Sequence, residues 1–192
     1  MDTLDLGPAT RAMTDLVAGV RDDQLGAATP CPAYTVSDLA DHIGGLALAF
    51  TAAARKEGVA SSAPPSVDGS RLERGWRTRI ARDLELLADA WRDPAAYDGT
   101  ATAGGVEMPG PVAATVALNE VVLHGWDLAT ATGQEFAVRD EDVATCFTFV
   151  EPTTLPENAA MRGGLFGPVV PVPDDAPALD RLLGAAGRRP RS

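Results

Sequence analysis

At 192 residues and a formal charge of −11, the chain has single-domain size and the wrong sign to sheath a phosphate backbone, so nucleic acid is not an expected partner. Its 45% hydrophobic and 22% charged residues are ordinary globular composition, neither disordered nor fibrous. Two cysteines, Cys31 and Cys146, are too few for a disulfide framework, and no apolar run reaches the roughly 18 residues of a membrane span.

Residues 1–7 carry two aspartates and neither a basic nor an apolar leader, so the expectation is a soluble cytoplasmic protein with no membrane partner. The first helix follows Gly7-Pro8, where proline suits an opening turn, with Ala9, Met13, Leu16, Val17 and Val20 at helical spacing. Thr29-Pro30-Cys31-Pro32 then breaks the chain. A second helix starts at Thr35, because Thr35-Val36-Ser37-Asp38 has the form of a capping box. Val36, Leu39, Ile43, Leu46 and Phe50 make its apolar stripe, with His42 on the flank. Residues 57–69 read as a Gly/Ser/Pro-rich connection.

The spacing of Leu72, Trp76, Ile80, Leu84, Leu87 and Trp91 predicts a third helix over residues 70–92, ended by Asp93-Pro94. Its other side bears Arg71, Arg74, Arg77 and Arg82, a solvated face, with Arg77 or Arg82 binding an anionic substrate as the alternative. Residues 95–110 form a glycine-spotted loop with a strand-like piece. A fourth helix opens at Pro111 and runs to Thr132, with Gly133 as its C-cap. It is apolar almost all round from Val112 to Leu123, which marks it as the most buried helix. A shorter helix over 140–150, a proline-rich stretch over 151–178 wrapping the bundle, and a last short helix over 178–186 complete the chain. The pattern predicts an all-α bundle of four main helices with short accessory helices and an extended C-terminal tail, as one domain over residues 1–192.

The only two histidines fall in these helices. Glu120 and His124 are four apart and share a helix face, and His42 can reach them across the bundle. Two histidines and a carboxylate form a ligand set typical of catalytic zinc; the competing reading is a buried acid–histidine pair and a core histidine. An ionised Glu120 in an apolar helix favours the former, since such a charge is costly unless paired or bound to an ion. Asp38, four before His42, and Asp127, three after His124, are each placed to orient an imidazole. For Asp38 the competing role is the cap. Cys31, Cys146, Trp76, Trp91 and Trp126 read as packing residues.

The run Thr29-Pro30-Cys31-Pro32-Ala33-Tyr34-Thr35-Val36-Ser37-Asp38-Leu39-Ala40-Asp41-His42 resembles the T-P-C-P-x-W-T-V-x-D-L-x-x-H segment of DinB-like actinobacterial proteins related to the N-terminal domain of mycothiol-dependent maleylpyruvate isomerase. Glu120-Val121-Val122-Leu123-His124-Gly125-Trp126-Asp127-Leu128-Ala129 is similar to their E-x-x-x-H-x-W-D-L-A signature. The tail, from Phe166-Gly167 to Gly187-Arg188, is similar to a single-domain branch. The resemblance implies an up-down-down-up DinB-like four-helix bundle and a metal held by His42, Glu120 and His124. Zinc is the first expectation, with nickel, cobalt or iron admitted. It further implies a mycothiol S-transferase-like reaction between a small-molecule thiol and an electrophile. A noncatalytic metal-binding protein and a metal-dependent hydrolase are the rival functions, and a homodimer is among the assemblies admitted. Two departures stand out: Tyr34 replaces the family's tryptophan, and the chain is too short for the isomerase's second domain, so the isomerase activity does not carry over.

Overall fold

The computed structural model describes residues 3–32, 34–57, 67–162 and 165–190. Ala33 of the first motif and most of the 57–69 connection, residues 58–66, lie outside the described residues. The chain divides into two compact units, residues 1–137 and 138–192.

The first unit holds four helices: α1 (Gly7–Gly19), α2 (Val36–Ala54), α3 (Trp76–Ala90) and α4 (Gly110–Thr132). Both α1 and α2 pack principally on α3 and α4, which sets α1 and α2 diagonally in an all-α DinB-like bundle. Its core is the apolar stripes read from the sequence: Met13 and Val17 of α1, Val36 and Leu39 of α2, Ile80, Leu84 and Leu87 of α3, and Leu118 and Leu128 of α4 are all buried. Burying each such side chain contributes about 1.5–3 kcal/mol, which outweighs the modest helix propensity of the β-branched residues among them.

The helix boundaries follow local chemistry. Thr35 caps α2 as a reciprocal box: Asp38 N donates to Thr35 Oγ1 at 3.3 Å, and Thr35 N donates to Asp38 Oδ2 at 3.0 Å. Gly133 closes α4 in the left-handed region at φ 70°. The third helix begins later than its periodicity predicts. Residues Gly69–Arg71 form a single 3-10 turn, and Gly75 at φ 84° interrupts the backbone before Trp76. Between α3 and α4 the strand-like piece is an antiparallel hairpin, β1 (Thr100–Ala103) with β2 (Val106–Pro109), turned by Gly104 and Gly105 at positive φ.

The second unit contains α5 (Asp140–Val150), α6 (Ala159–Arg162) and α7 (Ala178–Ala185), with α5 packed on α7. Two 3-10 turns, Glu151–Thr154 and Pro156–Asn158, interrupt the stretch expected to be extended. The remaining tail folds back on α7, where Val170 N donates to Gly184 O at 3.0 Å and Val172 and the Val170 carbonyl occupy the space a Cβ on Gly184 would need. Among the described residues no helix is long and apolar enough to cross a membrane.

Candidate metal centre

Helix α4 carries three of the polar residues at the centre, and their spacing places them around one imidazole. His124 is buried, Glu120 lies one turn before it, and Asp127 lies three residues after it with a fully buried side chain. Asp127 Oδ2 is 3.0 Å from His124 Nδ1, and Glu120 Oε2 is 3.0 Å from His124 Nε2. One carboxylate therefore fixes the ring through Nδ1 and directs Nε2 toward the other, the arrangement by which an acid orients a ligating histidine.

Helix α2 supplies His42, whose ring meets the His124 ring edge-on with centroids 5.0 Å apart. The register of α2 is held by its cap and by the chain that passes over it. Gly69 N donates to Asp38 Oδ1 at 2.9 Å, and Asp41 Oδ2 accepts from Asp68 N at 3.1 Å and from Arg71 Nη2 at 2.7 Å. Asp38 is thus engaged in capping and clasping rather than in orienting His42, and its carboxyl is lowered by the bonds from Thr35 and Gly69.

One ligand atom from each of His42, Glu120 and His124 lies within 4.8 Å of the others. Donors bound at about 2.1 Å around a tetrahedral ion sit roughly 3.4 Å apart. The Glu120–His124 pair, at 3.0 Å, lies a little inside that spacing, so a small separation of the two would admit an ion. His42 Nδ1 is buried and has no hydrogen-bond partner, an orphaned polar atom of the kind that calls for an explanation. Both observations fit a divalent cation.

The two imidazoles differ sharply in proton affinity. Burial, and then the neighbouring His124, pull His42 down from 6.5 to about 4, so it is neutral and its lone pair is available. Burial also opposes the charged form of His124, but the bonds and charges of Asp127 and Glu120 overcome it and raise the group from 6.5 to about 9.

Beside His42 opens a depression of about 560 Å3 lined also by Asp41, Gly45, Leu48, Arg71, Glu73 and Arg79. The arginines near the centre are therefore Arg71 and Arg79. Arg77 instead donates to the Val20 carbonyl at the end of α1 and to Asp22, with its guanidinium over Trp76. Arg82 is exposed and does not line the depression. Arg79 can lie against α2 because Gly44 has no Cβ; one built there would meet its Nη1 at 3.2 Å. Tyr34 is a further neighbour, its ring 5.3 Å from that of His42, and burial with the charges of Cys31, Glu120 and Asp38 raises its phenol. Its place eight residues before His42 gave no helical spacing by which to find it. Cys31 is half-buried in the same turn, while Cys146 is buried in the second unit, its thiol pushed up to about 12.

The four-helix unit with two histidines and a carboxylate gathered between α2 and α4 defines a helical-bundle protein of candidate metal-binding type. The model of the family described as the mycothiol maleylpyruvate isomerase N-terminal domain matches residues 6–129, and the chain belongs to that family. The match takes in Tyr34, His42, Glu120, His124 and Asp127 and ends before the second unit. Two uncharacterised proteins of Mycobacterium tuberculosis, from two strains, are each 28% identical over 194 residues, spanning 95% of this chain and 95% of their own. No solved structure matches the chain.

Proposed function

We propose that this protein is a divalent-metal-dependent enzyme that uses a low-molecular-weight thiol, mycothiol in the first instance, as cosubstrate for transfer to an electrophile. The observation that carries the reading is the convergence of His42, Glu120 and His124 within 4.8 Å, with one histidine neutral and the other held by Asp127. Nitrogen and oxygen donors in this number favour zinc, with nickel, cobalt or iron as alternatives that the same donors accept. A cation bound there supplies the positive charge that keeps a thiol sulfur deprotonated near neutral pH.

The rest of the chemistry belongs to the chain. Asp127 holds Nδ1 of His124 and leaves Nε2 directed at the centre, so the ring cannot turn away. Glu120 would bring a carboxylate oxygen to the cation from a half-buried position, without closing the site to a ligand. Ile43 on α2 and Val121 on α4, both buried, line the same cavity as Glu120, and such apolar walls limit water and strengthen the electrostatic terms inside. The family's description, which names mycothiol, supports the choice of thiol.

Metal analysis followed by thiol-conjugation assays tests the reading. The purified protein is expected to carry about one divalent ion per chain, which His42→Ala and His124→Ala variants lose while staying helical. The loaded protein is expected to accelerate conjugation of mycothiol to members of an electrophile panel. Full occupancy surviving in both variants removes the site. A fully loaded protein without thiol-dependent turnover removes the catalysis and leaves a metal-binding protein.

A further inference from the structure

Tyr34 is held by a turn that engages its whole backbone. Its amide donates to the Cys31 carbonyl at 3.0 Å, and its own carbonyl accepts from Thr29 Oγ1 at 2.8 Å. The same Thr29 oxygen lies 2.9 Å from the Cys31 carbonyl and accepts from the Cys31 amide at 3.2 Å. An isolated bridge between Ala28 and Thr35 closes the base of this turn. From that rigid base the ring leans on His42 at 5.3 Å, and His42 in turn meets His124.

The phenol is the part of Tyr34 with no hydrogen bond among the described residues. The contrast with Tyr97 is informative: that hydroxyl accepts from Leu4 N at 2.9 Å and lies 3.1 Å from the Trp91 carbonyl, as a partly buried phenol normally does. The hydroxyls nearest in sequence are not free to serve the centre, because Thr35 Oγ1 donates to Asp38 Oδ2 at 2.6 Å and lies 3.0 Å from Ser37 Oγ in the α2 cap. Tyr34 therefore offers the uncommitted hydroxyl beside His42.

Such a donor answers a specific electrostatic need. A thiolate brought next to Glu120 places two negative charges together in a partly desolvated pocket, where their repulsion is stronger than in water. A neutral hydroxyl within reach of the incoming sulfur would stabilise that charge without adding a cation and without competing for the metal. We infer that the Tyr34 hydroxyl is a hydrogen-bond donor to the anionic atom of the ligand that binds at His42, Glu120 and His124, the thiolate sulfur of the cosubstrate. The inference rests on the proposed function for the thiol; the role as donor rests on the geometry of Tyr34.

Cobalt(II)-loaded protein tests it, because bound thiolate reports itself by charge-transfer absorption. The probes are 2-mercaptoethanol and, as an anion without sulfur, azide. Tyr34→Phe keeps the ring against His42 and is expected to retain helical circular dichroism and cobalt affinity within about twofold, while binding 2-mercaptoethanol about tenfold more weakly. Unchanged thiol binding in Tyr34→Phe overturns the inference. So does a loss of thiol binding that merely follows a loss of cobalt, which makes the residue structural. Should the wild-type protein bind cobalt and give no thiolate band, the thiol reading fails and azide decides Tyr34 alone. Azide about tenfold weaker in Tyr34→Phe keeps the hydroxyl as an anion donor, and equal azide binding removes it.

Discussion

The proton on His124 gives the centre a distinctive linkage. In the metal-free protein Asp127 and Glu120 keep this buried imidazole protonated up to about pH 9, whereas His42, near 4, is neutral at pH 7. A cation cannot share His124 Nε2 with a proton, so binding must expel it. At pH 7 the release is therefore about one proton per ion, nearly all from His124. Two histidines with ordinary values near 6.5 would together release only about half a proton. The apparent affinity should rise roughly tenfold per pH unit from about pH 5 and level off only near pH 9. Calorimetric zinc titrations at pH 7 in buffers of different ionisation enthalpy count the protons. Competition with a chelator of known protonation behaviour gives the slope. A release near half a proton, or an affinity that stops rising by pH 7, refutes the assignment of His124 as a ligand clamped by two carboxylates.

The same groups set the pH dependence of metal-free stability. His124, raised from 6.5 to about 9, contributes on the order of 3 kcal/mol that is present below pH 6.5 and lost as the pH rises through 9. His42, lowered from 6.5 to about 4, acts oppositely, its contribution present above 6.5 and lost as the pH falls through 4. The thermal midpoint of chelator-treated protein should accordingly peak near pH 6.5, and a midpoint still climbing at pH 9 contradicts the two shifts. Asp38→Ala removes the side-chain half of the reciprocal cap, the acceptor for Thr35 N, together with the partner of Gly69 N, and should cost about 1–2 kcal/mol in urea unfolding; an unchanged midpoint would dismiss that carboxylate as a contributor. Gly110→Ala puts a methyl group 2.6 Å from the Ala96 carbonyl oxygen and 2.8 Å from Tyr97 backbone atoms, which cannot swing aside. A loss of about 1–3 kcal/mol is expected, and a neutral result would mean that the start of α4 is displaceable.

What the sequence made legible was local. The α2 cap lies within four consecutive residues, Thr35 to Asp38, and the end of α4 is written in Gly133. Glu120, His124 and Asp127 could be read as neighbours because all three ride on α4 at spacings of four and three. The start of α3 was misplaced because apolar periodicity continues through Leu72, while the backbone is broken at Gly75, whose left-handed φ no periodicity reports. The arginines read as a solvated face could not be sorted further for a related reason. A helical phase separates buried from exposed positions, but it does not reveal that Gly44 on another helix leaves room for Arg79, or that the Val20 carbonyl claims Arg77. Tyr34 reaches His42 through a turn set by Thr29 Oγ1, a hydroxyl bond with no signature in residue spacing.

These differences divide the labour of the site between two helices. Helix α4 assembles its part alone: the positions of Glu120 and Asp127 on either side of His124 follow from helical geometry and would persist in any environment that keeps α4 helical. His42 has no such local support, since Asp38 and Asp41 on its own helix are turned to the segment passing over them. Its position depends on how α2 crosses α4, and thus on the cap, on the clasp by Asp68, Gly69 and Arg71, and on core packing through Leu39 and Ile43. The burial that keeps His42 neutral is the product of that packing. The proton-rich half of the centre is consequently encoded in one helix, and the proton-free half in the fold.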